Sequence, residues 1–571
     1  GTMEYTGSNY EERRRTTLAS RGQKVVLPPM PAGDSLQAHI KDNMWLPRIV
    51  TGSLGDSAQL RAAIKVDDWN EYHIVVKGNR MQHYVNGILL SDVTDNDTVN
   101  RRFTGLMGVQ VHVGPPMRIA YRNFRLKRLM IDSGHYTIHA DSLPDKKAEV
   151  IQQLIDKARP GDTVFVEEGV YKLSDRPIQP VVSGRKDAWI TIIPSGGKRV
   201  IIDGSDYLSS YDTTKRLPLT GSITFTNCRY IRMEGIETRQ SHNAGIIIEG
   251  ASTDHIEIIH CKSTGSYNSG IAIWYADSCK ILHCEVTGAN DQALRPRGIP
   301  LRREAPHEAI SLAGASHFEV AFNLVHDCFK EGIDCKEVSN HGVIHHNTIY
   351  NMPRQGLYTD CWFGRLSNVE FHHNIVHHCE WGFGISGEGR NASMDSIFFH
   401  HNLLYDNRAS GIFFSVWGSD EQRRNIFIYN NTLFNNGTAG HWSGLTGGID
   451  IMSSNLRNVF IYNNIISKNY GYAIGAFADN SEKDAAFKDR NIKILHNLEW
   501  QVGIPGKELP RSNFRTIHPI EGQSAIKADP LFLDAGGGDF SLSRSSPAFN
   551  KGWRDAPSGK TNYLGAISPN K

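Results

Sequence analysis

The sequence predicts an all-β chain: a right-handed parallel β-helix preceded by an antiparallel β-sandwich or jelly-roll module. Three observations predict it. Glycine followed by Ile or Leu recurs at Gly245, Gly270, Gly332, Gly356, Gly411 and Gly448, with Gly384-Ile385 in register and Ala309-Ile310 a variant. The dominant interval is roughly 25 residues, the length of one solenoid coil. A second series, His346-Asn347, His373-Asn374, His401-Asn402, Asn430-Asn431, Asn463-Asn464 and His496-Asn497, puts an asparagine at one turn of each coil. There its amide bonds to the backbone of the neighbouring coil. The third observation is composition: 53 glycines in 571 residues suit a turn-rich β chain better than a helical one.

Residues 1–131 form the first domain. Glu71–Lys77, Met81–Val85 and Ile88–Val93 read as an antiparallel meander joined by short Gly/Asn turns, and Gly105–His112 and Met117–Phe124 add two strands. The segments Asp68–Tyr72, Val85-Asn86-Gly87, Gln110–Pro116 and Phe124–Lys127 resemble the second half of the 3-keto-disaccharide hydrolase domain. That resemblance implies a concanavalin-like jelly roll in which the family's first strands are missing, serving here as a sugar-binding or packing module.

Residues 132–571 form the second domain. Between about 145 and 158, Ile151, Leu154, Ile155 and Ala158 follow the spacing of an amphipathic helix, which would plug the open N-terminal end of a solenoid. Pro160-Gly161 stops it. Two insertions break the coil period, one with Arg295, Arg297, Arg302 and Arg303, the other with His441 and Trp442. Both enter just before a glycine strand and should rise beside the same face. Asp529–Asp534, Asp539–Leu542 and Ser546–Asn550 resemble the closing coil of bacterial β-helix carbohydrate enzymes.

The formal charge of +2 gives no reason to expect a nucleic-acid partner, and no apolar run is long enough to span a membrane. The chain begins inside a domain, so a secretion signal is compatible with it; a secreted, periplasmic or cell-surface bacterial protein is expected. The eight cysteines form no CxxC pair, so a zinc knuckle is not expected. They read as small apolar core residues, with a disulfide between stacked coils as the alternative.

Aligning each strand from its glycine gives two outward columns. The first runs Ala272, Ser311, Asp334, Tyr358, Ser386, Phe413, Asp450, and the second Trp274, Ala313, Lys336, Asp360, Glu388, Ser415, Met452. Charge is confined to the middle coils, whereas a structural surface would spread it. On this register Asp360 and Glu388 have carboxyls about 5 Å apart, the spacing of a retaining glycosidase, and Asp334 lies about 8 Å from Asp360, which suits inversion. Lys336 should hold Asp360 ionised, and that anion should raise Glu388 so that it serves as an acid. A salt-bridge ladder is the bland alternative.

Arg354–Trp362 and Phe383–Glu388 resemble the β-helical xylosidases of glycoside hydrolase family 120 over about two coils. The resemblance implies Asp360 as nucleophile and Glu388 as acid/base; the residues around Glu388 (Gly387, Gly389, Arg390) depart from the family. Trp274, Tyr358, Trp362, Trp417 and Trp442 are candidates for stacking on sugar rings. His307, Glu308, Glu331 and Arg354 sit at strand entrances, and Arg390 and His441 stand near the same face. His345, His372 and His400 read as a stacked ladder in preference to a metal site. The expectation is a carbohydrate substrate and a glycoside hydrolase without cofactor. The rival is a polysaccharide lyase with Lys336 as base, Arg354 or Arg390 neutralising a uronate, and Ca²⁺ as a possible aid. A non-catalytic glycan-binding surface protein is the alternative of another class.

Overall fold

The computed structural model describes residues 5–30, 36–66, 68–77, 79–97, 100–101, 108–109, 120–125, 146–208, 220–296, 299, 301, 304–437, 446–477, 489–503, 517–553, 555–557 and 562–567. Two compact units divide the chain, Gly1–Ser133 and Gly134–Lys571. No helix among the described residues is long and apolar enough to cross a membrane.

In the first unit, Tyr72–Lys77, Arg80–Val85 and Ile88–Asp95 form the expected antiparallel meander. The sheet continues differently: Gln23–Leu27 pairs parallel with Ile88–Asp95 and antiparallel with Ile49–Ser53. Leu18, Val25, Leu27, Trp45 and Val93 close the core beneath it. Arg15, only 2% exposed, is held by Glu11, Asp95 and Asp97. Of the two strands expected at 105–112 and 117–124, residues 108–109 and 120–124 are described and lie in no strand; the rest fall outside the described residues.

The second unit is the right-handed β-helix. Three long sheets of 14, 12 and 11 strands run along it, and within each sheet successive strands belong to successive coils. The helix Glu149–Ile155 lies where the amphipathic pattern places it and buries Ile151, Leu154 and Ile155. Ile151 and Ile155 line an apolar gap with Ile178, Ile192, Ile202 and Ile223, so the helix covers the first coils' exposed core.

Asparagines 323, 347, 374, 402, 431, 464 and 497 stack inside one turn, each side-chain amide donating to the next asparagine's Oδ1 at 2.9–3.1 Å. The residue before each of the later six, from His346 to His496, has a left-handed φ of 50–56°. Asn and His tolerate that conformation better than branched residues do. All eight cysteines are buried free thiols, as expected of core filler.

The C-terminal segment does not extend the solenoid axis. Phe532–Asp534 and Asp539–Leu542 pair as a hairpin, and Phe540 packs on Leu403 and Phe434. Farther on, Leu564 packs on Ile465 and Leu498, flanking the helix.

Candidate active site

The 11-stranded sheet carries the glycine strands. Its register aligns Ala272, Ser311, Asp334, Tyr358, Gly384, Phe413 and Asp450 in one column. The second column runs Trp274, Ala313, Lys336, Asp360 and Ser386. The expected columns therefore hold except on one coil. There Gly382, not Gly384, is the equivalent of Gly356, and Ser386, not Glu388, stands beside Asp360. A two-residue shift leaves every side chain on its own face, so alternation alone cannot select the register. The turn selects it, through Glu380 N–H donating to the Met352 carbonyl and Ala409 N–H to that of Glu380.

Glu388 still reaches the site, from just past the strand Trp381–Gly387. Its N–H donates to the Cys361 carbonyl at 2.9 Å, and its own carbonyl accepts from Ser419 N–H at 2.7 Å. Three glycines permit this clamp. A Cβ on Gly389 would stand 1.7 Å from the Trp362 carbonyl oxygen, one on Gly418 2.1 Å from that of Glu388, and one on Gly387 2.8 Å from that of Glu421. The Glu388 carboxylate accepts a hydrogen bond from the Tyr358 hydroxyl, which brings it back over the sheet. Gly384 lets Tyr358 lie close: a Cβ there would be 2.7 Å from the tyrosine ring.

Lys336, Glu308, Asp334 and Asp360 form a buried cluster beside this clamp. Lys336 Nζ donates to both Glu308 oxygens at 2.7 Å and lies 3.6 Å from Asp334. Burial opposes its charge, but Glu308, Asp334 and Asp360 together keep it protonated. Lys336 in turn holds Glu308 below the usual carboxylate range against the effect of burial.

One cation cannot neutralise three buried carboxyls. Asp334 is pushed well above the ordinary range by burial, then by Asp360 and Glu308. Asp360 is pushed up by burial, and the charge on Glu388 adds to that against the pull of Lys336. Oδ1 of each aspartate has no hydrogen-bond partner. The expectation that Lys336 keeps Asp360 ionised is corrected: Glu308 takes the lysine's hydrogen bonds, and burial raises Asp360 against the pull of Lys336.

The aromatic candidates separate. Trp274 is 4% exposed, packs with Ala272, Ile247 and Ala313, and donates from Nε1 to Ser311 Oγ at 3.2 Å. It is a wall, and its expected stacking on sugar is corrected. His307 lies against it at 4.4 Å between centroids, and burial with the Lys336 charge keeps the imidazole neutral. Trp417 and Trp362 are 38% and 53% exposed at the rim, with Trp417 edge-on to Tyr358. Arg390 is exposed there too. Arg354 is bound to Glu331 at 2.8 Å and to Glu304. His441 and Trp442 lie outside the described residues, as do Arg297, Arg302 and Arg303.

Several residues on this face were not singled out from sequence. Gln355 and Trp381 occupy the position before the glycine, the column that also holds Glu308 and Glu331. Continuing the alignment one residue upstream would have found both. Glu337 receives the Trp362 N–H at 3.1 Å and is raised by burial. Trp381, Phe413 and Trp417 pack together at 5.3–5.9 Å as an aromatic floor next to Glu388.

Among the described residues, the group with ligand atoms close enough to share a metal is His345, His346 and His372. His345 and His372 are stacked 4.8 Å apart and 10° from parallel, so their lone pairs run side by side without converging. The stack continues to His400 at 5.3 Å, which makes it the expected ladder.

Comparison with known proteins agrees with this architecture. A family model described as right handed beta helix region matches residues 216–396. A 3-keto-alpha-glucoside-1,2-lyase-like domain matches residues 3–127, and a disaggregatase-related model matches 394–498. No curated protein matches the chain. Among solved structures, endo-xylogalacturonan hydrolase from Aspergillus tubingensis aligns at 11% identity over 69% of this chain and 99% of its own, with TM-score 0.41. PfbA, a surface adhesin of Streptococcus pneumoniae, aligns at 11% identity over 66% and 94%, TM-score 0.42. An alginate lyase from Paenibacillus sp. str. FPU-7 aligns at 15% over 49% and 91%, TM-score 0.35.

Proposed function

We propose that this chain is a glycoside hydrolase, of the kind suggested by the family 120 resemblance, acting outside the cell on a glycan whose reactive sugar carries no carboxylate. The observation that carries this reading is a pair of carboxyl groups with opposed environments on one face: Asp360 buried and raised by that burial, and Glu388 clamped at the rim beneath the Tyr358 hydroxyl. Two carboxyls held in unlike environments are what acid-assisted glycosidic cleavage requires.

In this scheme Asp360 gives its proton to the leaving oxygen while a Glu388 oxygen bonds to the anomeric carbon, releasing the first product. Water, deprotonated by Asp360, then displaces Glu388 and frees the second sugar with retained configuration. These roles reverse those implied by the resemblance, and the reason is the loss of Lys336 to Glu308. The same pairing disfavours a lyase: a lysine held protonated is no base, and Arg354, shared between Glu331 and Glu304, is not free to neutralise a uronate.

The test is product analysis on neutral and uronate-containing glycans with wild type, Asp360→Asn and Glu388→Gln. Hydrolysis of a neutral glycan, reduced at least about 10³-fold in either variant with thermal stability retained, is expected. An ultraviolet-absorbing unsaturated product overturns the reading in favour of elimination. Saturable binding without products, unchanged in Asp360→Asn, makes the protein a glycan binder. Azide rescue of Asp360→Ala giving a glycosyl azide of retained configuration fixes Asp360 as the acid; an inverted azide would restore it as nucleophile.

A further inference from the structure

One charged residue stands where the solenoid's interior pattern calls for an apolar one. Arg423 opens the strand Arg423–Tyr429, and its cross-coil neighbours in register are Met394 on one side and Leu456 on the other, with Leu366 one coil beyond Met394. Leu366, Met394 and Arg423 are 0% exposed, so a guanidinium occupies a column of core side chains. Burying that charge is costly unless every contact is specific.

Both terminal nitrogens make specific contacts, while Nε has no hydrogen-bond partner. Nη1 donates to the carbonyl oxygens of Ile385 at 3.0 Å and Ser415 at 2.8 Å. Nη2 donates to Ser453 Oγ at 2.5 Å and to the Asp420 carboxylate. Ile385 and Ser415 mark the point where two neighbouring strands separate. Pairing between Trp381–Gly387 and Ile412–Phe414 ends at Ile385 with Phe414. Beyond it Ser386-Gly387-Glu388 runs to the candidate carboxylate, and Ser415-Val416-Trp417 runs to the rim tryptophan. Past that point a Ser415–Ser386 hydroxyl contact at 2.6 Å, the Ser415 N–H to Ile385, the Glu421 N–H to the Gly387 carbonyl at 2.8 Å and the Glu388 clamp join them.

We infer that Arg423 is a positioning residue of the active face: it splints the fork at which these strands part and so fixes Glu388 relative to Trp417. This rests on the hydrolase reading for its catalytic consequence, though not for its structural one. The apolar side chains that fill the same column on other coils offer no donors to either carbonyl, and a lysine has no planar fork with which to reach both. The guanidinium also sits close enough for its charge to interact with Glu388 and Tyr358.

Arg423→Met, matched to Met394 in the same column, removes the splint and keeps the volume. It is expected to lower kcat about 10²-fold, the order of loss for a reacting group displaced by about 1 Å, with KM changed far less. Arg423→Lys keeps the charge but not the planar fork, so it should recover only part of kcat at unchanged KM, a split that a purely structural residue would not show. A crystal structure of Arg423→Met reads the positioning directly, with 386–388 and 415–417 expected to shift apart. If Arg423→Met fails to fold, the lysine variant carries the test through its kcat at unchanged KM and its 386–388 geometry.

Wild-type kcat in a folded Arg423→Met, or an unmoved fork in its structure, overturns the inference. The hydrolase reading fails separately. If Glu388→Gln keeps full turnover, or no glycan is cleaved, that reading falls while the crystal structure still decides whether Arg423 holds the fork.

Discussion

Two stretches of the β-helix stack one kind of chemistry coil upon coil, with opposite results. On the turn edge, His345, His372 and His400 lie in one column and His346, His373 and His401 in the next, with rings 4.8–5.3 Å apart and 1–10° from parallel. Within each coil the two rings share one proton between their Nδ1 atoms at 2.7–2.9 Å. On the glycine-strand face the stack is mixed: Glu308, Asp334, Lys336 and Asp360 meet in one buried cluster with a single cation. Repetition of a neutral group that both donates and accepts builds a ladder. Concentrating unlike charges without enough partners stores unfavourable electrostatics, which supports the catalytic role proposed for this face.

The largest effect should come from breaking the one good pair in the mixed stack. Lys336→Met leaves Glu308 buried beside Asp334 and Asp360 without its cation, and should cost about 3–5 kcal/mol. The double variant Lys336→Met/Glu308→Gln should recover much of that. Denaturant midpoints read both; a Lys336→Met protein as stable as wild type would mean that the cluster is already neutral.

A smaller loss is expected inside the homogeneous part. Asn431 accepts from Asn402 N–H and Nδ2 at 2.9 and 3.1 Å and donates to the Phe399 carbonyl and to Asn464 Oδ1 at 2.9 and 3.0 Å. Asn431→Ala should cost about 3 kcal/mol, since an unsatisfied buried group costs about 1–3 kcal/mol. Glycan turnover per folded molecule should not change. A turnover loss as large as that of Asp360→Asn would place the ladder inside the active site and erase the contrast between the two stacks.

The ladder was legible in the sequence because it is repetition. The His-Asn pairs, the glycine strands and the capping helix need only a period and an alternation, and each lies where those patterns put it. The active face was legible in composition but not in detail. Lys336, Asp360 and Asp334 share adjacent coils as read, yet Glu388 slipped by two residues, because Gly382-Phe383 and Gly384-Ile385 start a strand equally well and parity does not choose between them. Trp274 read as a platform because a strand pattern does not reveal that Ser311 and the neighbouring apolar side chains enclose it. Arg423 went unnoticed for the opposite reason: an arginine at a strand's first residue looks like surface, and only the column Leu366, Met394, Leu456 shows that the position faces inward.

The smallest effect is also the one that sets the two stacks against each other, through pH. Burial and neighbouring imidazolium charges lower His372, His373 and His377 to about 4 and His401 to about 3. Unfolding restores a value near 6.5, so the unfolded chain binds more protons than the folded one at mildly acid pH. The ladder's contribution is therefore complete above about pH 6.5 and is lost as pH falls toward 4. Asp334 and Asp360, raised in the folded state, act with the other sign: they cost nothing below the ordinary carboxylate value and destabilise increasingly as pH rises past it. Thermal midpoints should thus fall on acidification from pH 6.5 to 4, by a few degrees once solvent screening of half-exposed rings is allowed for. Replacing His372 and His373 by Asn should flatten that slope. Asp360→Asn should instead raise the midpoint near pH 7 and steepen the fall on acidification, because the relief gained as the raised Asp360 takes up a proton is lost. An Asp360→Asn midpoint that followed the wild type across this range would show that the buried aspartate is not raised, and with it the division of roles between Asp360 and Glu388 would go.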